Sequence, residues 1–257
     1  MKVIKCDLPD QEQVEIVVFA DEHVGDAACD FKRLLERIEY VKNTPGCYCI
    51  LNGDLMDCAI ANSVGDSYGA ELSPMNQLQQ CVKIFGGIKD KILCVTPGNH
   101  ENRVYKQTGL SMTEVMCSQL GIPEKCTPTT ALLFVRFGKR KANHHGRRQL
   151  YTIYVTHGSG GGRKEGGKIN RLADLAAIVD SDIYLCAHTH LPAVFRNAFH
   201  RVSGSNSSVS IVDKLFVNTA SNLDYGGYGD LQGYKPCSKQ SPTIYLNGTE
   251  RAFWAKL

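Results

Sequence analysis

Five β-rich apolar runs in this 257-residue chain each end on Asp, Asn or His, and that repetition limits the fold more than any other feature. Residues 14–20 lead into Asp21-Glu22-His23. Residues 47–51 lead into Gly53-Asp54-Leu55-Met56-Asp57, and residues 92–96 into Gly98-Asn99-His100-Glu101. Residues 150–156 end on His157, and residues 183–187 on His188-Thr189-His190. In open α/β sheets the carboxyl ends of the strands form an edge where loops converge and ligands bind. A chain with coordinating side chains at five strand ends is expected to carry its site on such an edge.

Between the strands, the first half shows helical spacing. Phe31, Leu34, Leu35, Ile38 and Val41 mark a helix over residues 26–43, broken by Pro45-Gly46. Ser73-Pro74 predicts a helix start, with Ser at the cap and Pro in the first turn, continuing through residues 75–88. Ser111-Met112-Thr113-Glu114 fits a capping box for a short helix that stops at Gly121-Ile122-Pro123. The second half is strand-rich, with runs at residues 131–137, 150–156, 183–187, 193–202, 208–217 and 242–246, and one helix over 169–179. Alternating β and α followed by strands predicts an α/β domain with more than one sheet layer. The Gly-rich stretches 158–167 and 225–233 are short enough to be loops, so residues 1–257 read as a single domain.

Composition excludes more than it selects. Hydrophobic residues at 43% and charged residues at 21% are ordinary for a globular chain. No apolar run approaches the ~18 residues of a membrane span. The polar, acidic stretch 7–15 is wrong for a secretory signal, so a cytoplasmic protein is expected. The formal charge of +3 is too small to argue for nucleic acid by itself. The eleven cysteines are odd in number, scattered and without a Cys-x-x-Cys pair. They read as reduced, buried thiols rather than bridges or a zinc site. Alternation puts Cys47 and Cys49 on one face of a strand.

Taken singly, each strand-end motif has a plainer reading. Asp-x-His after a strand is more often a turn or a helix cap, Gly-Asp-x-x-Asp a turn, and His-x-His surface polarity. Gly-Asn-His-Glu alone reads as a turn with φ > 0 at Gly and Asn. Five of them in order, all at strand ends, are not what chance gives. Two cations a few ångströms apart need neutral imidazoles and a limited number of carboxylates, one of which lies between the ions and offsets their repulsion. Oxygen and nitrogen ligands without Cys point to Mn, Fe or Zn. A water between two such ions is acid enough to supply hydroxide near neutral pH.

The series resembles the signature of the calcineurin-like metallophosphoesterase superfamily: Asp-x-His, Gly-Asp-x-x-Asp, Gly-Asn-His-Asp/Glu, a single His, then Gly-His-x-His. The likeness runs in order from Asp21 to His190, and Asn218-Thr219-Ala220-Ser221 sits where many members carry Asn-Pro-Gly-Ser. One departure is Ala187 in place of the usual Gly before His188. The resemblance implies a four-layer α-β-β-α sandwich of two mixed sheets with flanking helices. It also implies two divalent metal ions, Mn first and Fe or Zn as alternatives. Asp21, His23 and His190 would hold one ion, Asn99, His157 and His188 the other, and Asp54 would bridge both. Phosphate esters would be cleaved by metal-bound hydroxide, with His100 as the general acid that protonates the leaving oxygen and Asp57 as the carboxylate that orients it. That pairing is physically coherent, since a carboxylate fixes the imidazole tautomer and raises its pKa. The plainer reading of His100 is a hydrogen bond to phosphate.

The substrate is less determined. Cys58-Ala59 follows Asp57, whereas protein Ser/Thr phosphatases resemble Gly-Asp-x-Val-Asp-Arg-Gly, and the missing Arg argues against that branch. Arg103 is a candidate clamp for a phosphate oxygen, with a structural ion pair as the alternative. Residues 136–148 hold Arg136, Lys139, Arg140, Lys141, Arg147 and Arg148 with His144 and His145, and no acid. As a hairpin tip, this is either a basic rim for nucleic acid or a solvated turn that protects a strand edge. The tip falls at the far end of the sheet if the strands alternate in direction. Tyr225, Tyr228 and Tyr234 offer base stacking or an ordinary surface loop. The expectation is a metal-dependent hydrolase of phosphate esters. Phosphodiesters, nucleic acid among them, stand ahead of phosphomonoesters of nucleotides, small molecules or proteins. A non-catalytic scaffold that binds a partner on its metal face is the reading from another class, and the oligomeric state is left open.

Overall fold

Alternation within the strands decides the layering of this chain, whose computed structural model describes residues 1–60, 63, 70–138 and 148–257. Among the described residues the strands form two sheets. The first runs in the order β1 (Lys2–Asp7), β5 (Ala131–Phe137), β6 (Gln149–Val155), β7 (Ile183–Cys186), β9 (Ser208–Asn218), β8 (Ala193–Ser203). The second runs β11 (Phe253–Lys256), β10 (Thr243–Asn247), β2 (Gln13–Phe19), β3 (Cys47–Asn52), β4 (Ile92–Thr96). Both are mixed. β2, β3 and β4 are parallel to one another, as are β6, β7 and β9, whereas β5 with β6, β8 with β9, and β10 with both β2 and β11 are antiparallel.

Successive side chains on a strand point to opposite faces, and here both faces are apolar. Val14, Ile16 and Val18 of β2 face Leu133, Val135, Tyr151, Ile153, Val155, Ile183 and Leu185 of the other sheet, forming the core between sheets. Val17 and Phe19 of the same strand face helices with Cys47, Cys49 and Leu51 of β3. The helices on that side are α1 (Phe31–Asn43), α2 (Pro74–Gly86), α3 (Asn99–Thr108) and α4 (Met112–Leu120). On the outer face of the first sheet, Leu132, Tyr154, Tyr184 and Phe216 pack with Leu172 of α5 (Glu165–Asp174). The result is the four-layer α-β-β-α order that the family resemblance implied. A short α6 (Gly227–Leu231) lies in the loop before β10.

Several boundaries move for identifiable reasons. α1 starts at Phe31, not at residue 26, because the Asp30 carboxylate accepts the Arg33 N–H (3.1 Å) and caps it. Val24 and Cys29 instead make β-bridges to Met56 and Leu223. Gly98-Asn99-His100-Glu101, whose plainer reading was a turn, caps and opens α3. The helix expected over 169–179 begins earlier, as α5, and closes with a 3₁₀ turn at Leu175–Ala177. β1 was hidden by its half-buried Lys2 and its exposed Lys5 and Asp7, yet Ile4 and Cys6 are buried and it pairs with β5. Every cysteine is unpaired and nine of them are buried, which is the packing role expected of them. Among the described residues no helix is long and apolar enough to cross a membrane.

The two ends of the basic segment, Arg136 and Arg148, are placed by register. Arg136 pairs with Leu150 and Ala131 with Val155, so the carboxyl end of β5 stands beside the amino end of β6, while His157 follows the carboxyl end of β6. At ~3.4 Å per residue a strand of this length separates the two by about 20 Å. Arg136 and Arg148, at the roots of the connection, meet Asp7 (3.8 and 3.5 Å), and Arg148 also meets Asp10 (3.1 Å). These two arginines therefore stand at the opposite end of the sheet from the strand-end motifs, the placement expected of strands that alternate in direction. Residues 139–147, with the remaining basic side chains of the segment, lie outside the described residues, as does the Tyr228 side chain.

Candidate metal centre

Parallel pairing brings the ends of β2, β3 and β4 to one edge, and the ends of β6 and β7 meet them there from the other sheet. Backbone bonds weld the loops together: Asp21 N–H donates to Gly53 O (3.1 Å), His23 N–H to Asp54 O (3.0 Å) and Val24 N–H to Leu55 O (2.8 Å). Asn52 joins the sheets, its Nδ2 donating to Thr156 O (2.9 Å) while its Oδ1 accepts from Thr96 Oγ1 (2.7 Å). The approach is so close that Gly53 and Gly98 have no room for a side chain. A Cβ on Gly53 would stand 2.6 Å from Gly98 N and 2.7 Å from His157 Nδ1, and one on Gly98 would run into Asp54.

The backbone is strained where the polar side chains stand. Among the described residues, seven non-glycine residues have positive φ, and five of them are Asp21 (53°), His23 (48°), Asp54 (49°), His188 (65°) and His190 (55°). The left-handed region costs an L-residue about 1–2 kcal/mol, so the surrounding fold must hold these five in place. It also explains why Ala187 fits before His188 without a glycine's freedom: the positive φ falls on His188, not on Ala187.

The five motifs do converge. Asp21, His23 and His190 form one cluster with ligand atoms within 4.8 Å of one another, and Asp54, His157 and His188 form another. Each carboxylate has one oxygen pinned by a backbone N–H: Asp21 Oδ2 by His188 (3.1 Å) and Asp54 Oδ1 by His100 (2.8 Å). The other two oxygens face inward, Asp54 Oδ2 at 3.1 Å and Asp21 Oδ1 at 4.0 Å from His157 Nε2. His190 Nε2 lies 3.3 Å from Asp21 Oδ1, and Asn99 Oδ1 lies 3.2 Å from His157 Nε2. His157 Nδ1 is spent on Asn52 O (2.8 Å), which orients Nε2 toward the centre.

Two features fit a divalent cation. Asp21 Oδ1 and both ring nitrogens of His23 are buried without a hydrogen-bond partner, and buried polar atoms are rarely left that way. The donors are imidazole nitrogen, carboxylate oxygen and amide oxygen, with no thiolate, the set suited to Mn, Fe or Zn. Protonation follows the same geometry. Burial pushes His23 well below its ordinary value and lowers His188, keeping both neutral and available to coordinate. Burial also pulls His157 down, but Asp54 and Asp21 outweigh it and push this imidazole up to about 10. Burial opposes charge on Asp54 too, yet His157, His100 and His23 hold its carboxyl below the usual range.

His100, Asp57 and Arg103 stand at the mouth. His100 Nδ1 lies 2.7 Å from Asp57 O and 3.2 Å from Asp57 Oδ1, and its Nε2 accepts from Arg103 Nη2 at 2.8 Å. Burial lowers the His100 pKa, but the bond to Asp57 and the charge of Asp54 raise it above the ordinary value overall. Arg103 Nη1 is buried with no partner, so the guanidinium is only half used.

Sequence reasoning overlooked the braces. Gln77 of α2 accepts the Cys58 N–H (2.7 Å) and so fixes the loop carrying Asp57. Asn218 Nδ2 donates to Thr189 Oγ1 (2.9 Å) and Leu191 O (2.7 Å), which steadies the His188–His190 turn. Asn222 N–H and Ser221 Oγ both donate to Asp21 O. Only the segment from Asn218 to Ser221 had a sequence signal, its place in the motif series.

The family model for calcineurin-like phosphoesterases matches residues 14–192, and the chain belongs to that family. No curated protein matches it in sequence. Similar solved structures include a conserved uncharacterized protein, a predicted phosphoesterase, from Streptococcus pneumoniae TIGR4, with 16% identity over 95% of this chain and 88% of that one, at a TM-score of 0.39. Wild-type Vps29 complexed with zinc from Entamoeba histolytica has 14% identity over 91% and 86%, at a TM-score of 0.37. The nuclease MPE of Pseudomonas putida has 13% identity over 94% and 87%, at a TM-score of 0.38.

Proposed function

We propose that this member of the calcineurin-like phosphoesterase family is a phosphoester hydrolase working with two divalent cations, with phosphodiesters as its first substrate class. The observation that carries this reading is the meeting of two clusters, Asp21–His23–His190 and Asp54–His157–His188, around inward-facing oxygens within 4.0 Å of His157 Nε2. We assign Asp21, His23 and His190 to one cation, Asn99, His157 and His188 to the other, and Asp54 to both. Mn²⁺ is the first candidate, and Fe or Zn share the donor set. When bound, such cations withdraw charge from phosphoryl oxygens and acidify a water for attack on phosphorus.

The chain's own groups do the rest. Asp57 receives the Nδ1–H of His100, which leaves Nε2 directed at the mouth of the site, where the leaving oxygen of an ester would need a proton. Arg103 donates to that same Nε2, so in this arrangement the nitrogen is an acceptor. A phosphate oxygen competes for the guanidinium better than a neutral imidazole does. Substrate would draw Arg103 away and free Nε2 to carry the proton it hands over. Arg103 thus binds phosphate and times the exposure of His100, and Arg103→Ala should raise KM by roughly 10–100-fold, as loss of a charged hydrogen bond does. The described residues give the basic segment no part in this, so nucleic acid enters as one arm of the test.

The test is a side-by-side assay with Mn²⁺ on bis-p-nitrophenyl phosphate, p-nitrophenyl phosphate, and single- and double-stranded DNA. Turnover on the diester above that on the monoester, abolished by EDTA, is the expected result. Protein that binds Mn²⁺ and hydrolyses none of the four would overturn it in favour of a scaffold.

A further inference from the structure

Glu101 is the fourth residue of the Gly98-Asn99-His100-Glu101 motif and has no place among the assigned ligands or at the mouth. Its side chain is buried, with the residue 2% exposed, yet it is a carboxylate, and burying one is expensive unless donors gather around it. Four do. Glu101 Oε1 accepts the N–H of Leu55 (2.7 Å) and of Met56 (3.1 Å), and Oε2 accepts those of Asp54 (3.0 Å) and Gly98 (2.9 Å). The bond to Gly98 is an ordinary helix cap, reaching back to the start of its own helix. The other three are not explained by capping, because they cross to a loop 45 to 47 residues away.

That loop is shaped to meet it. Three successive backbone N–H groups turn to one side because Gly53 and Asp54 both have positive φ (78° and 49°), which makes an anion-binding nest. Glu101 fills the nest from within. The link is returned by Asp54, whose Oδ1 accepts the His100 N–H at 2.8 Å. The two loops are thus tied through two carboxylates, and both ties act on the orientation of Asp54 Oδ2, the oxygen aimed at His157.

We propose that Glu101 is a positioning residue that sets the bridging Asp54 against the Asn99–His100 turn by gathering the N–H groups of both loops on one carboxylate. This rests on the reading that Asp54 and Asn99 hold cations. Glu101→Gln keeps the shape but turns an amide N–H toward backbone donors, so at least one loop loses its anchor.

The experiment titrates Mn²⁺ into wild type and Glu101→Gln, follows the electron paramagnetic resonance of coupled ions, and measures kcat and KM on bis-p-nitrophenyl phosphate. A thermal melt first establishes that each protein is folded at the assay temperature. The variant should bind Mn²⁺ roughly 10–100-fold more weakly, as loss of a group supporting metal ligands does. It should also lose the coupled signal and fall in kcat at saturating Mn²⁺, with KM near the wild-type value. A residue that only stabilised the fold would leave coupling and kcat intact in folded protein. Folded Glu101→Gln with wild-type affinity, coupling and kcat overturns the proposal. Should that variant not fold, Glu101→Asp keeps the charge but falls a methylene short of one loop, and wild-type values there overturn it equally. Wild type that shows no coupled pair refutes the underlying two-cation reading instead, so the two failures are distinguishable.

Discussion

The two ends of β6 and β7 are both rich in charge, and they treat it in opposite ways. At the amino ends, Asp182, Asp180, Asp7 and Asp10 each have a cationic partner. Asp182 accepts from Arg251 (2.6 Å) and from Thr152 N–H (2.9 Å), Asp180 meets Lys214 (2.5 Å) and Arg201 (3.6 Å), and Asp7 and Asp10 meet Arg148. At the carboxyl ends the acids face imidazoles, both ring nitrogens of the adjoining His23 stay unpartnered, and five of the ligand candidates occupy strained backbone. Salt bridges consume their charges and leave nothing for a ligand. A cluster with unspent donors and strain reserves its capacity for something outside the chain.

The largest effect should come from Asp54→Asn, because this carboxylate lies near both clusters. Mn²⁺ content should fall at both positions and hydrolysis on the order of 10⁴-fold, the worth of several kcal/mol of charge stabilisation. Metal analysis of the purified variant checks this, and two tightly held ions would break the contrast between the ends. His100→Ala should follow, with metal content retained and kcat down roughly 10²–10⁴-fold, as loss of a general acid gives. Full activity would reduce His100 to a neighbour of the site.

A subtler effect concerns pH. His157 has an ordinary value of 6.5 and is held at about 10 beside Asp54. Between those values folded protein treated with EDTA keeps a proton that the unfolded chain releases. The stabilisation from this pair is complete below about pH 6.5 and disappears as pH rises through about 10. Melting temperatures of EDTA-treated protein should fall across that window, more steeply in wild type than in His157→Ala. Mn²⁺ should flatten the fall, since it takes the place of the proton. Identical slopes in both proteins would contradict the assigned pairing. The smallest effect belongs to the other end. Arg136→Ala breaks a half-exposed pair with Asp7 and should cost about 0–1 kcal/mol, with hydrolysis unchanged. A drop in activity would tie the amino ends to the chemistry and end the comparison.

What could be read from the sequence follows the same division. Strand-end motifs are local: apolar runs closing on Asp21, Asp54, Asn99, His157 and His188 stand out because each run and its polar end are contiguous. More than one sheet layer was legible in the order of strands and helices, but the four-layer sandwich came only with the resemblance. What stayed hidden depends on partners far along the chain. Glu101 reaches residues 54–56, Gln77 holds Cys58, and Asn52 meets Thr156, all bonds that no periodicity announces. The positive φ at His188 and His190 runs against the preference of those residues, so only the packed fold imposes it. β1 escaped notice because an edge strand with one solvated face carries lysines. The placement of Arg136 and Arg148 depended on the antiparallel register of β5 and β6, which composition does not encode.

In the proposed reading, the carboxyl ends of β2, β3, β4, β6 and β7 hold two cations with Asp54 between them. Anomalous diffraction at the manganese edge, from crystals grown with Mn²⁺, tests it most directly. Two peaks should appear, one by Asp21, His23 and His190, the other by Asn99, His157 and His188, with the Asp54 carboxylate between. A single peak, or peaks beside the paired acids at the amino ends, would contradict it.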